Sequence, residues 1–302
     1  MPHSRTRNPA NTPRRLIREA ARRFRRARLH YGHGTGNALD EAAYLVLGAL
    51  DLPFDCTDED LNRRLDAGAC ARVECLIERR IEERRPVAYL IGKAWFAGLP
   101  FIVDERVLVP RSPVAELIEE RFAPWLEEKL VKRILDIGTG SGCIAIACAY
   151  AFPQADVDAV DVSPDALKVA EANVRRHGVV QRVRCIESDL FEAVTGESYD
   201  LVVANPPYVS AAEYAGLPPE YRHEPGAGLE AGPDGLDLVR RILTEAPAHL
   251  NPEGILVVEV GSAREALVEA YPQLPFTWLE FERGGEGVFL LQREQLARSR
   301  HG

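Results

Sequence analysis

The sequence predicts an α/β protein: a doubly wound, mostly parallel sheet preceded by a smaller helical domain. Three observations carry this. From residue 131 onward strand and helix signals alternate, as in a parallel sheet with crossover helices. A glycine-rich run, Asp136-Ile137-Gly138-Thr139-Gly140-Ser141-Gly142, sits where the first of those strands meets the first of those helices. Residues 37–85 instead repeat their apolar positions at three and four residues, the helical period.

Taken in order, Leu16, Ala20, Phe24 and Ala27 recur at helical spacing in an arginine-rich start. Leu39, Ala42, Ala43, Val46, Leu47 and Leu50 form a second apolar stripe, Leu52-Pro53 interrupts it, and Cys70, Val73, Leu76, Ile77 and Ile81 resume it until Pro86 stops it. Residues 94–110 read as a strand, a turn at Gly98 and further extended chain, a connector between two bodies. Strands are then expected at 134–137, 157–160, 183–186, 199–204 and 254–260, with two closing strands at 276–281 and 287–291 around Gly284-Gly285. Helices are expected at 143–151, 163–177, 236–250 and 263–271; Ser163 caps one of them with Pro164 at its first position.

The chain has 302 residues, about two folded units. Its 46% hydrophobic and 27% charged residues exclude disordered and fibrous classes. Cys56, Cys70, Cys75, Cys143, Cys148 and Cys185 are scattered without a C-x-x-C pair, so no metal site or disulfide framework is expected. Buried, reduced thiols and a cytoplasmic location are. No apolar run approaches the ~20 residues of a membrane span, so no membrane partner is expected. The net charge of -9 is uneven: ten arginines and one acid before residue 31 give +9, leaving 27 bases against 45 acids, a net of -18. A basic arm precedes an acidic body. The arm suits phosphates; the alternative is a solvated helix.

The glycine run lets the backbone turn tightly and approach a ligand. Its spacing is G-x-G-x-G behind an acid, the pattern of S-adenosylmethionine sites, whereas dinucleotide sites read G-x-G-x-x-G. Asp136 suits an ammonium, and no lysine follows as in a P-loop. Asp161, 23 residues after Gly138, stands where an acid accepts both ribose hydroxyls. In Ser188-Asp189-Leu190-Phe191, Asp189 can accept from an adenine amino group while Leu190 and Phe191 flank the ring; core packing is the rival reading for Phe191.

Asn205-Pro206-Pro207-Tyr208 closes the fourth strand. An amide or aromatic amino nitrogen is a poor nucleophile because its lone pair is delocalised. Two acceptors, the Asn205 side-chain oxygen and the Pro206 carbonyl, fix its N–H groups and stabilise charge developing on it. Pro207 cannot donate a competing N–H, and Tyr208 can stack on a planar amide or base.

Together these motifs resemble the HemK-type protein-glutamine methyltransferases, from about residue 31 to 296. Tyr31-Gly32-His33-Gly34-Thr35, Ala88-Tyr89-Leu90, Lys93-Ala94-Trp95-Phe96, Val103-Asp104-Glu105-Arg106-Val107-Leu108-Val109-Pro110-Arg111-Ser112-Pro113 and Tyr221-Arg222-His223-Glu224-Pro225 are similar to the branch that modifies large-subunit ribosomal protein L-three. Pro110-Arg111-Ser112-Pro113-Val114-Ala115-Glu116 departs from the Pro-Arg-Pro-x-Thr-Glu of the release-factor branch. The resemblance implies a seven-stranded Rossmann-like class I methyltransferase sheet and methyl transfer from S-adenosylmethionine to a glutamine amide nitrogen. It implies that Asp136, Gly138, Gly140, Gly142, Asp161, Asp189 and Leu190 hold the cofactor and Asn205, Pro206, Pro207 and Tyr208 the glutamine. Glu224-Pro225 and Asp234-Gly235-Leu236 match a further family signature, read as a substrate lid or ordinary loop.

The expected organisation is a basic arm (1–29), a helical recognition domain (30–93), a hairpin connector (94–112) and a methyltransferase domain (113–302). The alternatives are a release-factor glutamine methyltransferase, a nucleic-acid adenine methyltransferase and a non-catalytic ribosome-assembly factor. The acidic body offers no broad nucleic-acid face, so DNA is not an expected partner. A ribosomal protein is, with ribosomal RNA met by the arm.

Overall fold

Residues 11–298 are described in the computed structural model, and their contacts divide into two units. The first runs to Lys93 and takes in the short stretch Pro218–His223; the second comprises Ala94–Leu217 and the chain from Glu224 onward.

The first unit is helical. α1 (Pro13–Arg26) starts at Thr12, whose side chain accepts the Arg15 N–H, with proline in its first turn. Its Leu16, Ile17, Ala20, Ala21 and Phe24 are buried, and the helix packs on α2 (Ala38–Ala49). Ala20 of α1 and Ala42 of α2 are both fully buried. Residues 13–26 of the expected arm thus form a helix whose apolar stripe is buried; residues 1–10 lie outside the described residues. α3 (Asp58–Asn62) and α4 (Ala67–Glu82) follow. The helix carrying the second stripe ends before Pro86, as the sequence suggested, with α4 closing at Glu82, and Pro86 then opens a further element. It takes the N-cap position of a further short helix, α5 (Val87–Ile91), where its missing N–H is harmless, and Gly92, at φ +66°, closes it.

Buried charge sits inside this unit. Arg80 donates to Glu41 at 2.7 Å and to the His30 carbonyl at 3.0 Å. Glu220, from the stretch Pro218–His223, accepts the His30 N–H at 2.9 Å and Arg84 at 2.7 Å. Such charges are tolerated inside only when paired. The two signatures around His33 and Tyr221 meet here, their rings 4.5 Å apart.

The chain continues into a ribbon of β1 (Lys93–Phe96) and β2 (Leu99–Ile102), followed by α6 (Val114–Glu119). Strands and helices then alternate: β3 (Arg133–Ile137), α7 (Cys143–Ala151), β4 (Asp156–Asp161), α8 (Pro164–Arg176), β5 (Val183–Glu187) and β6 (Tyr199–Ala204). After α9 (Ala211–Gly216) and α10 (Asp237–His249) come β7 (Leu250–Glu259), α11 (Arg264–Ala270), β8 (Thr277–Leu279), β9 (Val288–Gln292) and α12 (Arg293–Arg298). The seven strands β3–β9 form one sheet in the order β5-β4-β3-β6-β7-β9-β8. The first five are parallel, and β9 runs antiparallel to both β7 and β8. Central parallel strands are covered on both faces and so read as unbroken apolar runs; Leu201, Val202, Val203 and Ala204 of β6 are all fully buried. Each large apolar side chain so buried contributes roughly 1.5–3 kcal/mol.

All six cysteines are free, but only Cys148 is buried and Cys75 is exposed. The expectation of buried thiols fails for the other five. Cys75 lies two residues from the buried Val73 and Ile77, which turns it to the opposite face of α4.

Candidate active site at the carboxyl ends of four strands

The strand order reverses between β3 and β6, the switch point at which open α/β sheets bind ligands. Ile137, the last residue of β3, pairs with Ala204, the last of β6, so Gly138 and Asn205 leave the sheet side by side. A Cβ added at Gly138 would have the Asn205 backbone oxygen as its nearest neighbour, at 3.9 Å. On the other flank Asp161 ends β4, and Ser188 follows β5. Register alone thus brings four sequence-distant motifs to one sheet edge.

Within the glycine run, Gly138, Gly140 and Gly142 have φ of +70°, +53° and +79°. These are left-handed conformations that side chains rarely adopt. A Cβ built at Gly138 or Gly140 would meet its nearest neighbour at ordinary contact distance, 3.9 and 4.0 Å, and one at Gly142 would press on Ala170 at 3.3 Å. Asp136 is buried beneath it. Its Oδ2 accepts the Thr139 hydroxyl at 2.6 Å and the Ala145 N–H at 3.1 Å, while its Oδ1 is buried without a partner. Burial pushes this carboxyl up to about 7. An orphaned buried carboxylate oxygen beneath a left-handed glycine turn fits a ligand carrying an ammonium group, as S-adenosylmethionine does.

Asp161 accepts the Gly140 N–H at 2.9 Å and the Ser163 N–H at 2.9 Å. One side chain therefore ties the glycine loop to the start of α8, and burial raises its pKa despite these donors. A carboxylate has about four acceptor sites, so lone pairs remain for hydroxyls. Asp189 has a partner the sequence did not reveal: Arg241 of α10 donates to both its oxygens, at 2.8 and 3.0 Å. Leu190 is buried and held at φ +50°. Ser188 braces that turn by donating to the Leu190 carbonyl at 2.9 Å and accepting the Ala193 N–H at 3.0 Å. Phe191 is 1% exposed and stacks on His249, which assigns it to the core.

The Asn205–Tyr208 loop is braced from several sides. The Tyr208 hydroxyl donates to Glu259 at 3.0 Å, and the Ser112 hydroxyl donates to the other Glu259 oxygen. Burial raises the pKa of Glu259. The Tyr208 ring lies against Gly261, where a Cβ would collide with it, and the Tyr208 carbonyl lies against Gly235. Val209 then pairs with the chain at 229–231 through two backbone hydrogen bonds. The Asn205 side-chain amide makes no hydrogen bond among the described residues.

The two signatures whose roles the sequence left open belong to the same framework. Glu224, 4% exposed, accepts the Val109 N–H at 3.0 Å and both Nη atoms of Arg111, at 2.5 and 2.8 Å. Asp234 accepts the Leu236 N–H and Arg240, shaping the turn that presents Gly235 to Tyr208. Asn173 of α8, fully buried, was not singled out by sequence. It bonds the Ser141 carbonyl and both backbone groups of Ile102, linking the glycine loop to the ribbon. A lone Asn among apolar helix positions was the available signal.

Residues 120–216 match the Methyltransferase small domain family. A ribosomal protein uL3 glutamine methyltransferase from Bordetella pertussis is 50% identical over 291 residues, covering 96% of this chain and 98% of that protein. The chain belongs to the family of ribosomal protein uL3 glutamine methyltransferases. A relative with the same description from Neisseria meningitidis serogroup B is 51% identical over 286 residues, covering 94% of each chain. Among solved structures the hMettl16 catalytic domain in complex with MAT2A 3'UTR hairpin 6 matches with a TM-score of 0.50 and 17% identity, over 75% of this chain and 81% of that one; this likeness shows the fold alone. The methyltransferase donor is S-adenosylmethionine, and the glycine cradle and orphaned Asp136 oxygen supply groups suited to it. The connector signature Val109-Pro110-Arg111 and the Glu224-Pro225 signature meet in one ion pair, in which Glu224 is buried and Arg111 partly solvated.

Proposed function

We propose that the protein transfers a methyl group from S-adenosylmethionine to the side-chain amide nitrogen of a glutamine in large-subunit ribosomal protein uL3. The reading is carried by one observation: the acceptor loop leaves the sheet beside the glycine loop in a chain that shares half its residues, nearly end to end, with relatives named for this activity.

S-adenosylmethionine, when bound, supplies an electrophilic sulfonium methyl. In this reading Gly138, Gly140 and Gly142 give its backbone-lined seat, the Asp136 Oδ1 meets the ammonium, Asp161 takes the ribose hydroxyls, and Asp189 and Leu190 take the adenine. Asn205 and Pro206 accept the two amide N–H groups of glutamine, which orients the nitrogen and stabilises the positive charge that grows on it. No strong base is needed before transfer, because the nitrogen becomes acidic as it is alkylated. Glutamate is rejected because a carboxylate has no N–H to offer two buried acceptors, a mismatch worth ~10,000-fold or more. Pro207 keeps the loop free of a competing donor, and Tyr208, anchored through Glu259, gives the amide a flat wall.

Residues 30–93 serve as the recognition domain, since the catalytic motifs read only a side chain. The acidic charge of the chain beyond residue 30 favours encounter with a basic ribosomal protein. Among the described residues no helix is long and apolar enough to cross a membrane; the reading places the protein in the cytoplasm, where ribosomes assemble, with ribosomal RNA as a second partner.

Labelled donor incubated with uL3, release factor or DNA tests the reading. Label on a uL3 glutamine is expected; label confined to release factor or nucleic acid overturns it. Asn205→Ala should lower turnover ~100- to 1,000-fold while leaving donor binding intact, and wild-type turnover in that variant removes Asn205 from the mechanism.

A further inference from the structure

The outward side of α1 is chemically uniform. Four residues of this helix are exposed, and all four are arginines: Arg18, Arg22, Arg25 and Arg26. At 3.6 residues per turn they fall within a sector of about 100°, opposite the stripe of Leu16, Ile17, Ala20, Ala21 and Phe24 that is buried. The remaining arginines of the helix each face an acid: Arg14 pairs with Asp58, Arg15 with Glu19, Arg23 with Glu74. None of the four makes an ion pair among the described residues. The stretch 1–30 contains no lysine. A merely solvated face mixes both signs; this one is of one sign.

We propose that this face of α1 docks on ribosomal RNA, with Arg18, Arg22, Arg25 and Arg26 gripping backbone phosphates. The planar guanidinium forks two hydrogen bonds onto phosphate oxygens, which a lysine cannot do. Eight residues separate Arg18 from Arg26, a rise of about 12 Å, long enough to meet several phosphates of one strand. A lipid surface is disfavoured because a membrane-binding amphipathic helix must insert its apolar face, and here that face is buried within the first unit. A protein partner is disfavoured because the exposed sector holds no apolar or aromatic anchor of the kind that dominates protein interfaces. The inference adds named contacts to the ribosomal RNA partner proposed above. It rests on the uL3 reading only for its biological meaning: the enzyme would meet its substrate on an assembling particle.

The test uses the full chain and a transcribed fragment of large-subunit ribosomal RNA, with binding followed by fluorescence anisotropy between 50 and 200 mM salt and no methyl donor. Four phosphate contacts give a log–log salt slope near -3 to -4, hence a loss of roughly 60- to 250-fold over that range. The quadruple variant Arg18→Gln/Arg22→Gln/Arg25→Gln/Arg26→Gln should bind more weakly and lose about three units of slope, while its methylation of free uL3 matches wild type. Replacing the same four by lysine should keep the slope, because the charge remains. Equal affinity and slope in the wild-type and glutamine proteins overturns the proposal. So does binding confined to vesicles of phosphatidylglycerol and phosphatidylcholine, or an equal loss of activity on free uL3, which would assign the stripe to the protein substrate. Failure of the wild-type chain to methylate uL3 would instead sink the catalytic reading and leave the RNA measurement standing.

Discussion

Gly235 offers the sharpest perturbation of the acceptor loop. It sits at φ +76°, and a Cβ there would lie 3.0 Å from the Tyr208 carbonyl carbon and closer still to its oxygen, where ordinary contact begins at 3.4 Å. Gly235→Ala therefore has two consequences. Left-handed backbone costs an alanine about 1–2 kcal/mol. In addition the Tyr208 peptide must retreat by about 1 Å, and displacement of that size at a reacting centre lowers rates ~100-fold, or about 2.7 kcal/mol in the barrier. Gly284 supplies the control: its φ is +83°, and a Cβ there meets nothing within 4 Å. Gly284→Ala should lower the melting temperature by an amount similar to the strain alone and leave turnover unchanged. Single-turnover methylation of uL3 at saturating donor, with donor affinity by calorimetry, separates the two effects. Gly235→Ala should keep donor affinity and lose ~100-fold in rate. Equal, small losses in both variants would refute the idea that Gly235 positions the acceptor loop.

Three further outcomes follow from buried polar groups. Because burial holds Asp136 near 7, the unliganded folded state keeps a proton that the unfolded chain releases. Stability should therefore fall as pH rises from about 4 to about 7, by up to about 4 kcal/mol. Asp136→Asn should flatten that slope in urea titrations, and an unchanged slope would count against it. Asn173→Ala removes three hydrogen bonds and strands the backbone groups they satisfied, a loss of about 3 kcal/mol or more; it should appear as a lower denaturant midpoint at unchanged m-value. Arg111→Ala leaves Glu224 buried with the Val109 N–H but no cation. Breaking such a pair destabilises by about 3–5 kcal/mol, toward the lower figure here because Arg111 is partly solvated. Arg111→Leu/Glu224→Leu should lose less than Arg111→Ala, and the reverse order would show that the ion pair is not the brace.

Sequence reasoning went far with the sheet because its signals are local. Residues 199–204 read as a strand through an unbroken apolar run, and β6 occupies those residues; Cys143–Ala151 was equally legible as α7. Short elements escaped. α5 follows a proline that reads as a stop, and α9 (Ala211–Gly216) has no buried residue to generate a period. The motifs were legible as motifs, whereas their partners were not. Arg241 lies 52 residues from Asp189, and Arg111 lies 113 from Glu224; both pairs depend on topology that no spacing encodes. Asn173 escaped for the opposite reason, being an ordinary polar residue whose importance comes only from the three backbone groups it meets.

The pairing of Ile137 with Ala204 also bears on how this chemistry can diverge. Donor and acceptor loops spring from neighbouring strands, and neighbouring strands lie about 4.8 Å apart wherever a hydrogen-bonded ladder exists. The sheet is therefore a ruler. The spacing of the points at which the two loops leave the sheet is inherited from the backbone ladder, which substitutions on the surface leave unchanged. Everything that selects a substrate can drift, be exchanged or be added outside that ruler without resetting it. A lineage can then acquire new protein targets by changing its surfaces while the spacing of the two loops stays calibrated.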